Sequence, residues 1–151
     1  MGKFPYAKSY RDLIVYQKAK QLAQEIYQMT MTFPREETFS LVDQIRRSSR
    51  SIGAQIAEAW AKRRNTRHFI SKLTDAEGEQ LETQHWIDVA ADCGYLNEEL
   101  ANSLRNRCTE IGRLIGSMTA KADLFCGDEY KMVRETTVEY FIGNDDSVVC
   151  H

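Results

Sequence analysis

Four long segments of the chain carry apolar residues at intervals of three or four positions, the spacing that places side chains on one face of an α-helix. The fourth segment shows the most regular pattern, formed by Leu100, Leu104, Cys108, Ile111, Ile115, Met118, Ala122 and Phe125. The chain of 151 residues has only 2 prolines, both before position 35, so few residues interrupt long helices. These patterns predict an all-α protein.

Capping and breaking residues predict where the first two helices begin and end. The first is expected to open at Ser9 or Tyr10 and to stop at Pro34, because proline cannot continue a helix. The second is expected to run from near Thr38 to about Arg64.

The other two helices have clearer end signals. Thr66 is the expected N-cap of the third helix, which ends at Cys93 because Gly94 suits the left-handed residue after a helix. Asn97 is the expected N-cap of the fourth helix, and Gly127 is its expected end.

Long amphipathic helices joined by short connections are typical of an antiparallel up-down-up-down four-helix bundle, which we predict for residues 1–127. Residues 128–151 differ from this pattern. Thr137–Ile142 fits a short strand or an extended arm, and Gly143–Ser147 fits a turn or disorder. We therefore predict an irregular C-terminal tail.

Charge is segregated along the chain although the net charge is only −2. Residues 45–67 contain seven basic residues and a single acid, Glu58, whereas residues 73–104 contain eight acids and no lysine or arginine. On a helical wheel at about 100° per residue, Arg46, Arg50 and Arg64 share one face of the second helix, with Arg47 beside them.

Two interpretations of the arginines remain open. Clustered guanidinium groups suit phosphate oxygens, which predicts a nucleic-acid-binding surface. The candidate residues are Arg46, Arg47, Arg50, Arg63, Arg64 and Arg67. Alternatively, these arginines pair with acids of the third helix or of another subunit.

Small residues share the arginine face of the second helix. They are Gly53, Ala54, Ala57 and Ala61, and small residues let another helix approach closely. We predict a contact between copies of the chain at this face. The alternative is packing against a neighbouring helix of the same bundle.

Polar residues close to the inner stripe of the third helix predict a hydrogen-bond network that fixes helix register. Its expected members are Glu77, Gln80 and Gln84, joined by Glu58 of the second helix.

Catalytic and metal motifs have little support in this sequence. Glu82 and His85 form one Glu-x-x-His pair, but a di-iron bundle needs two such pairs. The four cysteines form no C-x-x-C pair, residues 1–6 lack the apolar stretch of a secretory signal, and no apolar run of about 18 residues occurs in this sequence. We therefore expect a cytoplasmic, non-enzymatic protein with reduced thiols, no metal, no cofactor and no membrane span.

Six short motifs resemble the bacterial four-helix-bundle family encoded by intervening sequences in 23S ribosomal RNA genes, which is related to the accessory variability protein of diversity-generating retroelements. The resemblance covers residues 9–125. The motifs are SYRDL at 9–13, FPREE at 33–37, QIRRSSRSI at 44–52, IAE at 56–58, ETQ at 82–84 and GYL at 94–96.

The resemblance implies an antiparallel bundle that assembles into a barrel-like homopentamer. In the retroelement branch, it also implies a basic surface that binds nucleic acid and the reverse transcriptase. By position, that surface would fall on Arg46, Arg47 and Arg50, and then on Arg63, Arg64 and Arg67. Together these arguments predict an oligomer that binds RNA or a nucleoprotein through its arginines. The alternative is a purely structural protein–protein interaction module.

Overall fold

The computed structural model of the protein describes residues 7–126. Its helices are α1 (Ile14–Thr30), α2 (Leu41–Ala61), α3 (Thr66–Asp92), α4 (Glu98–Ala120) and the single-turn α5 (Ala122–Phe125). One-turn 3₁₀ helices at Tyr10–Asp12 and Arg35–Glu37 precede α1 and α2. The predicted tail, 128–151, and its Thr137–Ile142 segment lie outside the described residues.

Neighbouring long helices run antiparallel, as predicted. Between α2 and α3, the Thr83 hydroxyl donates to Ser48 Oγ at 3.0 Å, and Lys72 Nζ lies 2.9 Å from a carboxylate oxygen of Glu58. Later residues of α2 thus contact earlier residues of α3, so the two helices run in opposite directions. Helix α1 also packs against α4, which closes the ring of four helices. The predicted all-α, up-down-up-down bundle is confirmed.

The core consists of the predicted apolar stripes. Ile45, Ile52 and Ile56 of α2 have no exposed surface, and of the stripe on the fourth segment only Leu100 is half-exposed. Each buried aliphatic side chain contributes about 1.5–3 kcal/mol relative to exposure, so these stripes supply the main force that holds the four helices together. Among residues 7–126, no helix combines the length and the apolarity that crossing a bilayer requires.

The first helix begins later than predicted. Ser9 does form a cap: its hydroxyl accepts from the Arg11 N–H, and Asp12 accepts from the Ser9 N–H at 3.1 Å. This cap opens a single 3₁₀ turn, after which Leu13 is extended, with φ −72° and ψ 127°. The extended backbone turns the Leu13 side chain into the core, where it is 1% exposed, and α1 starts at Ile14.

The predicted bounds of the second helix were too wide. Thr38 ends the 3₁₀ turn and α2 starts at Leu41, while at the other end α2 stops at Ala61. Asn65, rather than Thr66, caps α3, because its side-chain oxygen accepts from the backbone N–H groups of Arg67 and His68.

Two of the predicted helix ends in the second half of the chain are confirmed. Gly94 has a φ of +79°, and the Asn97 side chain accepts from the Leu100 N–H, both as predicted. However, α4 stops at Ala120, and Lys121, with φ −110° and ψ 26°, separates it from α5. The break lets the Phe125 ring stack on Phe69 of α3 at 5.8 Å between centroids.

Candidate nucleic-acid interface

Two arginines of α2 lie against one tyrosine of α1. The guanidinium carbons of Arg46 and Arg50 lie 4.6 Å and 5.3 Å from the centroid of the Tyr27 ring. A cation over an aromatic face is attracted by the ring quadrupole. Tyr27 therefore contacts two positively charged side chains. Lys20 of α1 lines a groove together with Arg50, and we call the surface formed by Tyr27, Arg46, Arg50 and Lys20 the basic flank.

Hydrogen bonds fix the half-buried Arg46 further. Its Nε donates to the Thr30 hydroxyl oxygen at 2.8 Å, and one terminal nitrogen lies 3.5 Å from the Met31 sulfur. The Thr30 hydroxyl in turn donates to the Tyr27 carbonyl at 2.9 Å. Arg50 is exposed and has only the ring contact among the described residues. One guanidinium is thus positioned, and its neighbour can adapt.

Acids of the two helices that form the flank point away from it. Their partners lie elsewhere: Glu25 binds Arg107 of α4, Asp43 lies 3.8 Å from Arg47, and Glu58 binds Lys72 of α3. Within residues 7–126, neither Arg46 nor Arg50 forms an ion pair with a carboxylate. The positive charge of the basic flank is therefore not neutralised by α1 or α2.

A shallow groove of about 140 Å³ runs along the basic flank between α1 and α2, lined by Tyr16, Ala19, Lys20, Ala23, Arg50, Gly53 and Ala54. Gly53, a predicted oligomer-contact residue, is buried here, and a Cβ at this position would lie 3.5 Å from the Tyr16 ring. Gly53 is thus buried within the chain, although a contact of 3.5 Å would leave room for a Cβ. Ala54 and Ala61 are exposed and Ala57 is half-buried.

Arg47 lies on the other side of α2. It borders a polar groove of about 330 Å³ between α2 and α3, lined by Gln44, Arg47, Ser48, Ser51, Glu79 and Glu82. Burial and the nearby carboxylate of Glu82 raise the pKa of Glu79, and Arg47 opposes that rise. Arg47 is thus the arginine of the predicted set that faces acids of the third helix.

The remaining predicted arginines lie at the opposite end of α2, in and after its connection to α3. The Arg63 guanidinium carbon is 3.5 Å from the centroid of the Trp60 ring, and its Nε donates to the Trp60 carbonyl at 2.7 Å. Arg64 and Arg67 are exposed. Because α2 ends at Ala61, Arg64 does not share a helical face with Arg46 and Arg50, and the wheel was wrong on this point.

A small basic cavity of about 180 Å³ adjoins this second cluster. Lys62, His68, Ser71 and Lys72 line it. Lys72 is held by Glu58 at 2.9 Å and by Asp75 at 3.5 Å, and its hydrogen bond to Glu58 is the main cause that raises its pKa. The ammonium group of Lys72 is thus already paired with two carboxylates.

The predicted polar network forms without Glu58. Gln80, 2% exposed, donates from Nε2 to Glu77 at 3.4 Å, and the Gln84 amide donates to the Gln80 side-chain oxygen. Burial raises the pKa of Glu77. Sequence reasoning missed a second buried contact, the Thr83–Ser48 hydrogen bond, because both residues lie within stripes that otherwise look apolar.

Glu82 and His85 make contacts typical of a surface. Glu82 accepts from the Trp86 indole N–H at 3.2 Å, and the exposed His85 ring packs edge-on against Trp86. Across residues 7–126, no three His, Cys, Asp or Glu side chains are grouped so that they could hold a metal ion.

Sequence and structure comparisons agree on the ancestry of this bundle. Residues 11–117 match the family model described as 23S rRNA-intervening sequence protein. A solved structure from Bacteroides thetaiotaomicron, described as a protein with unknown function from the S23 ribosomal protein family, is 32% identical. The two structures superpose with a TM-score of 0.65, and the matched region covers 71% of this chain and 96% of the Bacteroides chain. No curated protein matches the chain.

The matched region contains α1, α2, α3 and most of α4, and with them the basic flank. Since the family model spans well over half of the sequence and a solved member shares the fold, the chain belongs to the 23S rRNA-intervening sequence protein family.

Proposed function

We propose that this protein is a non-enzymatic, oligomeric binding protein whose partner is RNA or a nucleoprotein. Contact with the phosphate backbone is made by the basic flank through Arg46 and Arg50. Arg63 and Arg64 of the α2–α3 connection, with Arg67 at the start of α3, provide a second contact zone near the far end of α2, roughly 20–25 Å away along the helix.

The observation that carries the proposal is the pair of guanidinium groups over Tyr27. Each could have paired with a carboxylate, as Arg105 does with Asp88 at 2.7 Å. Instead they share an aromatic ring, which holds like charges close together without neutralising them. Bringing like charges together favours an anionic partner, and guanidinium forks match phosphate oxygens.

The competing hypothesis is a structural module whose arginines pair with acids. Arg47 supports it, because Arg47 lies near Asp43 and borders the groove that contains Glu79. The same contacts remove Arg47 from the group of best phosphate ligands. We therefore assign Arg47 a smaller part in nucleic-acid binding than its neighbour Arg46.

Self-association at the small-residue face is part of the proposal. Ala54, Ala57 and Ala61 leave surface on α2 that a second copy of the chain can approach closely, and the family resemblance implies a pentamer. A ring would repeat the basic flank once per subunit and strengthen its field. Light scattering measures the assembly. A monomer at micromolar concentration would refute this part.

A salt titration of RNA binding tests the phosphate contacts. The double variant Arg46→Gln/Arg50→Gln should weaken binding and reduce the slope of log K against log salt by about 1.4, since each lost contact to a single strand accounts for about 0.7. The single variant Arg46→Gln is measured as well, and Arg47→Gln is its matched control, because it removes one positive charge from the same helix but from its other face.

Two outcomes would contradict the proposal. If wild-type protein binds no RNA at about 50 mM salt, the nucleic-acid function fails. If Arg47→Gln weakens binding as much as Arg46→Gln does, overall charge rather than the basic flank determines affinity. A reverse transcriptase is a further candidate partner, and pull-down with the wild type and the double variant tests it.

A further inference from the structure

One large apolar side chain lies almost wholly in water in the connection between α1 and α2, the two helices that carry the basic flank. Phe39 is 95% exposed, and Met31, in the same connection between α1 and α2, is 63% exposed. Leu81 of α3 is the other large apolar residue of this kind among the described residues, at 55%. A single exposed apolar residue is common on protein surfaces, so Phe39 indicates a binding site only together with the groups that lie at the same end of the fold.

Phe39 and the basic flank occupy the same end of the bundle. Met31 caps the C-terminus of α1, and its sulfur lies 3.5 Å from the Arg46 guanidinium. Phe39 precedes the first residue of α2 by two positions. Met31 therefore adjoins the guanidinium of Arg46, and Phe39 lies in the same connection at that end of the bundle.

The size of this apolar surface distinguishes between partners. A stable protein interface buries about 800 Å² on each partner, whereas one aromatic side chain buries about 150–250 Å². Phe39 and Met31 are flanked by the exposed charged residues Arg35 and Glu36. One exposed ring, bordered by charge, is too small for a protein partner on its own but matches the face of one unpaired nucleobase.

We infer that Phe39 is a base-stacking residue and that the partner of the basic flank is single-stranded RNA rather than a duplex. The inference rests on the function proposed above and specifies its substrate class. A nucleobase presents its face to an aromatic ring only when it is unstacked, as it is in loops, bulges and single strands. Phosphates held by Arg46 and Arg50 would leave the adjoining base beside Phe39.

The test compares two RNA oligonucleotides of equal length, one unstructured and one fully duplex, with wild-type protein and Phe39→Ala. Stacking on an aromatic side chain is worth enough that the variant should bind the unstructured RNA roughly 5- to 150-fold more weakly. The salt slope should stay unchanged, because no phosphate contact is lost. Duplex binding should be weaker in the wild type and unaffected by the variant.

Leu81→Ala is the matched control, since it also removes an exposed apolar side chain but from α3. It should leave both RNA affinities unchanged. Phe39→Trp provides a direct readout, because stacking should preserve affinity and quench the added fluorescence. Circular dichroism checks that the variants fold, as expected for a side chain with so little buried surface.

Each alternative outcome has a distinct meaning. If wild-type protein binds neither RNA, the proposed function fails and the inference falls with it. If Arg46→Gln/Arg50→Gln weakens binding while Phe39→Ala does not, phosphate binding stands and base stacking is refuted. If Phe39→Ala changes only the oligomeric state in light scattering, the ring contacts a second copy of the chain, which also refutes base stacking.

Discussion

Two glycines of α4, four residues apart, should respond differently to the same substitution. A Cβ built at Gly112 would lie 2.8 Å from Gln80 Nε2 and 3.5 Å from a Glu77 carboxylate oxygen, which is too close for the first contact. A Cβ at Gly116 meets nothing within 4 Å. Gly112 therefore makes room for the polar network of α3, whereas Gly116 has no such role within the chain.

The magnitudes follow from two effects. Alanine is favoured over glycine within a helix by about 1 kcal/mol, so Gly116→Ala should stabilise the protein by about that amount. Gly112→Ala gains the same propensity but displaces the Gln80 amide, which is bonded to Glu77 and Gln84. Losing these bonds costs about 1–3 kcal/mol in a buried site. Gly112→Ala should thus be less stable than Gly116→Ala by about 1–3 kcal/mol.

Urea denaturation of both variants measures this difference. In thermal melts, it should correspond to about 2–4 °C per kcal/mol in a protein of this size. Gly78→Ala on α3 is a second control, since a Cβ there also meets nothing within 4 Å. Measurements at two protein concentrations separate effects on assembly from effects on folding. Equal stabilisation by Gly112→Ala and Gly116→Ala would refute the crowding argument.

Three further predictions concern buried polar groups and thiols. Thr83→Val should lower the free energy of unfolding by about 1 kcal/mol in urea denaturation, because it removes the hydroxyl that donates to Ser48. Burial raises the pKa of Glu77 above its usual 4.5, so the folded state holds this proton more tightly than the unfolded chain does. Stability should therefore fall as pH rises from about 4.5 through the raised pKa, and Glu77→Gln should remove that part of the fall, as denaturation across pH can show. Burial also raises the pKa of Cys108 to about 12, so a thiol reagent followed by mass spectrometry should label the exposed Cys93 first and reach Cys108 only on unfolding.

Apolar periodicity predicted the bundle because every long helix buries one continuous stripe. It did not predict the breaks at Leu13 and Lys121, since the apolar residues on both sides of each break still reach the core. At such points both a continuous helix and a broken one would bury the same apolar residues, so their spacing does not distinguish the two. Capping residues with a specific hydrogen bond, such as Asn97, located helix ends more reliably.

The candidate site was only partly predictable for a related reason. A helical wheel orders the residues of α2 around its own axis, but it does not say which neighbour each face meets. The sequence therefore identified Arg46 and Arg50 as a pair without identifying Tyr27, the residue on α1 that holds them. It also grouped Arg64 with them, because a wheel assumes that the helix continues past Ala61.

The rotational position of each arginine on α2 decides whether its charge is paired with an acid. The basic second helix and the acidic third helix are neighbours, so pairing between them could have neutralised both. Yet Asp88 of α3 pairs with Arg105 of α4, and among the arginines of α2 only Arg47 borders the acids of α3. Arg46 and Arg47 are adjacent in sequence and therefore about 100° apart around α2. This rotation places Arg46 against α1 and Arg47 against α3. On the α1 side, the acids of α1 and α2 pair with residues outside the basic flank. Positive charge on the basic flank is thus a consequence of register rather than of composition, and a chain with a net charge of −2 still presents a locally positive surface.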